Sequence, residues 1–317
     1  MSQSATTCSR FIGCDVGKTS IVVYDSADGR LQTIANGAEA LAAFATQLDQ
    51  TCLVVCEATG GYEAGLLDAL LARGVPTHRA DARKVKAFIR SFGTLGKTDA
   101  LDAKALAGYA KERNLQLRRW QAPSRDHLAL QALVLTRSDL VQQQTAWSNR
   151  LQAPGAEPVA SCLRQLLDCL ADQIDAIEVR IQNILDASQP LQQTAAILRA
   201  IRGIGFKTAA ALIALMPELG SLNRKQAAAL AGLAPHPRQS GFTDAYRRTK
   251  GGRPEVKRVL FMAALSAAQH DPVMRAFFQR LTAAGKKPIV AITAVMRKII
   301  VVANARLRDA KIPNHLS

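Results

Sequence analysis

The sequence predicts a mixed α/β domain at the N-terminus, a long helical hairpin, and then a basic, mainly α-helical domain. Three observations carry this reading. Short β-branched runs alternate with helix-length stretches over residues 8–120. Apolar residues recur at helical spacing on both sides of a Pro/Gly break over 121–196, and the pattern from 197 to 310 is helical and strongly cationic. A chain of 317 residues is long enough for two separate cores.

In order along the chain, RFIGCDVGKTSIVVYDS (10–26) reads as two short strands joined by a turn, with Gly13 and Gly17 flanking Asp15. Ala38 to Leu48 reads as a helix, and Thr51 to Cys56 as a short buried strand. A helix follows Gly60 and Gly61 to about Arg73, then a strand over Val75–Ala80. Thr98 is placed to cap a helix running from Asp99 to about Arg113. Asp126 to Leu151 and Val159 to Ala187 are long helices, parted by Pro154, Gly155 and Pro158. Such a hairpin serves equally as a dimer interface or as a linker packed on its own domain. The apolar segment Ile289 to Val302 contains Arg297 and Lys298 and reads as a buried helix too short to span a bilayer.

Charge narrows the function. The net charge is +16, and residues from Ile201 onward hold 20 Lys/Arg against 5 Asp/Glu. A smaller basic block, Arg73 to Arg119, has 12 bases against 4 acids. Blocks this one-sided repel themselves unless a polyanion neutralises them, which points to nucleic acid. Six scattered cysteines with no CxxC pair argue against a zinc site or a disulfide framework, and suggest reduced thiols in a cytoplasm. No signal-peptide pattern is present at the N-terminus, and no membrane role is expected.

Four acids stand where a metal site would want them. Asp15 closes the first strand, Glu57 directly follows the apolar run LVVC, and Asp99 and Asp102 share one face of a helix. Two Mg²⁺ ions need several carboxylates converging from different elements and require no His or Cys. The stretch GCDVGKT imitates a phosphate-binding loop, but has three residues between its glycines where four are required and precedes a strand, not a helix. A sugar-kinase-like hairpin fits this segment alone but not Asp99 and Asp102.

In the last domain, Arg202, Gly203, Gly205 and Lys207 resemble the glycine turn of a helix-hairpin-helix that receives a DNA phosphate. A plain helix–helix turn fits equally well. Ser240 precedes Gly241 in a loop with Arg238 upstream and Arg247, Arg248, Lys250 and Arg253 downstream. That is the setting of a nucleophile whose scissile phosphate is held by cations.

Six segments, GCDVGKTS, LVVCEATGGYE, GKTDALDAKALA, IRGIGFKTAAAL, AGLAPHPRQSG and GGRPEVKRVLFMAAL, together resemble the DEDD transposases of bacterial insertion sequences. That family includes the pilin-gene invertase and the bridge-RNA-guided recombinases. The resemblance implies an RNase H-like (RuvC-like) first domain in which Asp15, Glu57, Asp99 and Asp102 bind Mg²⁺. It also implies that Ser240 forms a phosphoserine link to double-stranded DNA. The helical segment would be a coiled coil, the assembly a homodimer or homotetramer with composite active sites, and a guide (bridge) RNA a partner. A metal nuclease without serine chemistry and a non-catalytic DNA-binding relative are the alternative readings.

Overall fold

The computed structural model describes residues 8–93, 98–235, 249–310 and the backbone of 238–240 and 243–245. The chain divides into two units, residues 1–122 and 123–317.

The first unit is built on a five-stranded sheet. β1 (Arg10–Val16) turns at Gly17 into the antiparallel β2 (Ser20–Asp25), and β3 (Leu31–Ala35) pairs with β2 at the edge. After α1 (Ala38–Ala45), β4 (Cys52–Glu57) runs parallel to β1. After α2 (Ala64–Ala72), β5 (Thr77–Ala80) runs parallel to β4. The strand order is β3-β2-β1-β4-β5. α3 (Ala82–Ser91) is capped by Asp81, whose carboxylate accepts from the Arg83 amide at 2.8 Å. α4 (Asp99–Arg113) is capped by Thr98, which accepts from the Leu101 amide at 3.2 Å, as the sequence predicts.

The strand pleat sorts side chains to two faces. Ile12, Cys14, Val54 and Cys56 face a core with Leu41 and Phe44 of α1 and Leu66 and Leu70 of α2. Phe11, Leu53 and Val55 face a second core with Val85 and Phe88 of α3 and Leu106 and Tyr109 of α4. By the same alternation Gly13, Asp15 and Glu57 belong to this second face. Gly13 is a packing glycine: a Cβ there would lie 1.9 Å from the Ala103 carbonyl oxygen and 2.6 Å from the Ala107 nitrogen. Nothing larger lets α4 lie directly on β1.

Among its described residues the second unit is helical apart from one small hairpin and an isolated bridge. α5 (Arg125–Leu151) and α6 (Ala160–Ala187) form the long helical pair, joined through a short 3-10 turn. Then come α7 (Gln189–Arg199), α8 (Phe206–Leu215) and α9 (Arg224–Leu230). β6 (Arg238–Ser240) pairs antiparallel with β7 (Thr243–Ala245), and α10 (Pro254–His270), α11 (Pro272–Ala283) and α12 (Pro288–Asp309) follow. Leu130 and Val134 of α5 and Ile177, Ile181 and Leu185 of α6 enter one core with Leu198, Leu212, Leu260 and Ile299. One end of the helical pair is therefore part of the C-terminal core. Beyond Val134 no described residue of α5 is buried.

α12 corrects one expectation. It continues past the apolar run to 22 residues and is the one described helix long and apolar enough to cross a membrane. Its Ile292, Val295, Met296, Ile299 and Ile300 are instead buried within the unit's core. All six cysteines are free thiols; Cys162 and Cys169 are exposed and the other four buried.

Candidate active site

Two neighbouring parallel strands set the candidate site of the first unit. β1 and β4 are neighbours with Cys14 opposite Cys56, so Asp15 and Glu57, the next residues along, stand side by side near the ends of the two strands. The Gly13 contact holds Ala103 of α4 against β1. Asp102, one residue earlier on that helix, is thereby brought to the same edge. Asp15, Glu57 and Asp102 are half-buried and Asp99 is exposed, one turn nearer the helix start.

The charges that act on Glu57 come from the same neighbours. Burial pushes the Glu57 carboxyl above its usual range, and the nearby charges of Asp15, Asp102 and Asp81 push it further; Lys86 of α3 works against them. Among the described residues no three His, Cys, Asp or Glu side chains stand together as a ready-made ligand cluster. The acids are thus an open set. Crowded carboxylates offering only oxygen donors fit a hard divalent cation, which would relieve the repulsion at Glu57.

Sequence reasoning missed Glu63, the organiser of the segment that follows β4. Its buried carboxylate accepts from the Thr59 amide at 3.1 Å, the Thr59 hydroxyl at 3.0 Å, the Gly61 amide at 2.9 Å and Arg79 Nε at 2.7 Å. Burial pushes this acid up, but the hydrogen bonds outweigh burial and hold it at about 2. Its only sequence signal was its place in EATGGYE, where an acid and two glycines suit any turn.

The second unit carries a candidate segment of its own, around Ser240. Ser240 ends β6 and pairs with Thr243 at the start of β7; Arg238 pairs with Ala245. A bridge between Pro235 and Thr249 and an approach of two glycine segments close the base of this excursion. Gly252 has φ of +74°, and a Cβ on it would meet the Gly232 nitrogen at 2.1 Å. Arg247 and Arg248 lie outside the described residues, and Lys250 is exposed. Arg253 grips Glu218 through two hydrogen bonds of 2.8 and 2.6 Å and also donates to the Leu215 carbonyl. Its donors are largely engaged in fixing the loop base.

At the glycine turn between α7 and α8, Gly203 has φ of +93°, and a Cβ there would lie 2.5 Å from the Ala263 carbonyl oxygen of α10. Tight packing is one reason for that glycine. Gly205 caps α8. Lys207 is paired with Glu178 at 2.7 Å, and Arg202 donates to the His270 carbonyl at 3.4 Å.

Residues 12–154, holding all four acids, match a family model of DEDD transposases of the IS110 type. Residues 195–279, holding the glycine turn and Ser240, match the model described as transposase IS116/IS110/IS902 family. The chain belongs to the IS110 family of transposases. Among relatives of this IS110-family chain, the pilin gene-inverting protein of Moraxella lacunata is 29% identical over 82% of this chain and 81% of its own length. The 43.6 kDa protein of insertion element IS110 from Streptomyces coelicolor is 30% identical over 65% of this chain and 49% of its own. As an IS110-family member the protein is a DNA-recombining enzyme, and the four acids and Ser240 lie within the matched segments.

Proposed function

We propose that the protein exchanges DNA strands through a phosphoserine intermediate formed by Ser240, with the carboxylates of the first unit assisting the same phosphodiester. The observation that carries this reading is the placing of Asp15 and Glu57 on adjacent parallel strands, with Asp102 on the helix that packs against them. They stand in a chain that also bears a serine flanked by cations. The mixed β3-β2-β1-β4-β5 sheet, with acids leaving the ends of its central parallel strands, supports an RNase H-like first domain.

Asp15, Glu57, Asp99 and Asp102 would hold Mg²⁺, which when bound polarises a phosphoryl oxygen and neutralises developing charge. Ser240 loses its proton as its oxygen attacks phosphorus. The new Ser–O–P bond replaces one deoxyribose oxygen, which leaves as a hydroxyl. A deoxyribose hydroxyl of the recipient strand then displaces Ser240 and restores the phosphodiester. Bonds broken and formed are alike, so the exchange needs no external energy source. Lys250, Arg238, Arg247 and Arg248 supply positive charge around the phosphate. The family resemblance extends the proposal to a guide RNA as partner and to a homodimer or homotetramer as the working assembly.

Strand exchange between two DNA sites, with Mg²⁺ and any co-purifying RNA, tests the reading. Ser240→Ala and Asp102→Asn should each abolish exchange while leaving DNA binding within about twofold. Exchange that survives Ser240→Ala would remove the serine from the chemistry.

A further inference from the structure

A groove of about 830 Å³ lies between α10 and α12, and Pro235 and Thr249 at the base of the serine segment line one end of it. That volume is within the ~300–1,000 Å³ of small-ligand sites. Its walls combine two chemistries. Phe261, Met262 and Ile289 are apolar, yet Met262 is 62% and Ile289 58% exposed to water. Lys257, Arg258 and Arg297 are cationic, and no Asp or Glu is among the described lining residues. Lys257 donates to the Thr249 hydroxyl at 3.1 Å and Arg258 to the Ser138 hydroxyl at 2.9 Å, so these contacts leave both charges unneutralised.

An occupant that is anionic and presents an apolar face suits both. A nucleotide whose base has left the stack does both: aromatic and apolar side chains take the base while cations take the phosphate. A base inside an intact duplex has no face to offer. Strand exchange requires bases beside the cut to change partners, so an unpaired nucleotide is available there. We propose that this groove takes up one unstacked nucleotide of the exchanged DNA strand. Its base would lie against Phe261 and Met262, and its phosphate against Lys257 and Arg297. The inference rests on the strand-exchange reading for its choice of strand, but its test requires no chemistry.

The experiment uses the full chain carrying Ser240→Ala, titrated with a single-stranded oligodeoxynucleotide that bears one 2-aminopurine. Stacking in the groove should quench the probe. Met262→Asp and Ile289→Asp, both at exposed positions that the fold tolerates, should weaken the quenching titration about tenfold or more. Val273→Asp, at a 63% exposed position on α11 outside the groove, should leave it unchanged. Equal quenching by the wild-type surface and both groove variants would overturn the proposal. So would a DNA-free dimer that Met262→Asp dissociates, which would give the groove to a second copy. Tighter quenching of a matching RNA oligonucleotide that Met262→Asp and Ile289→Asp weaken would reassign the groove to an RNA strand. A chain with Ser240 intact that quenches the probe normally but never exchanges strands would refute the reaction and leave the groove standing.

Discussion

At the residue scale, Glu57 serves the site at the expense of the fold. Burial and the charges of Asp15 and Asp102 raise its proton affinity, so the metal-free folded state holds the proton more tightly than the unfolded chain does. The metal-free protein therefore loses stability as pH rises out of the ordinary carboxylate range. Glu57→Gln should raise the metal-free melting temperature at pH 7, should give no increase near pH 4, and should abolish strand exchange. Thermal melts at the two pH values with an exchange assay check all three. Glu63 behaves oppositely. Held at about 2, its carboxylate stabilises the fold above the usual range near 4.5, and that contribution is lost as pH falls through about 2. Glu63→Gln should cost roughly 2–3 kcal/mol at pH 7 in denaturant unfolding, and far less near pH 2.

At the element scale, the placement of α4 on β1 determines whether the acids meet. Gly13→Ala forces a methyl into the Ala103 carbonyl, so α4 must move away from the strand. Roughly 3 kcal/mol of stability should be lost, and strand exchange should fall even at temperatures where the variant stays folded. Gly252→Ala should act on the serine half, because its Cβ collides with the Gly232 backbone; exchange should drop with little change in the first unit's stability. β1, β2, β4 and α4 were legible in the sequence because β-branched runs, paired glycines and the Thr98 cap each have a local cause. β3 was not legible. It is an edge strand of LQTIA with no fully buried residue, so no apolar run marks it. α3 was hidden inside a cationic stretch, because only Val85 and Phe88 of its ten residues are buried. Likewise Asp15, Glu57 and Asp102 were legible from their strand-end and helical positions. The grips of Glu63 on Arg79 and Arg253 on Glu218 join residues 16 and 35 positions apart, which no local pattern encodes.

At the scale of the whole molecule, the charge of +16 is concentrated from Ile201 onward, in the unit that carries Ser240. Binding to DNA should therefore be dominated by counterion release. If six or more phosphates are neutralised, affinity should fall roughly 10³-fold between about 50 and 200 mM salt, as fluorescence anisotropy would show. A shallow salt dependence would mean that the cations of α10, α12 and the serine segment face something other than a phosphate backbone. Whether Ser240 becomes joined to DNA is tested by trapping the reaction. The protein would be mixed with its element's junction DNA, co-purifying RNA and Mg²⁺, denatured, digested with nuclease and trypsin, and read by mass spectrometry. A nucleotide phosphate is expected on the Gln239–Arg247 peptide, localised to Ser240 and absent in Asp102→Asn. Cleaved DNA with free ends beside an unmodified peptide would contradict it and leave hydrolysis by the carboxylate unit.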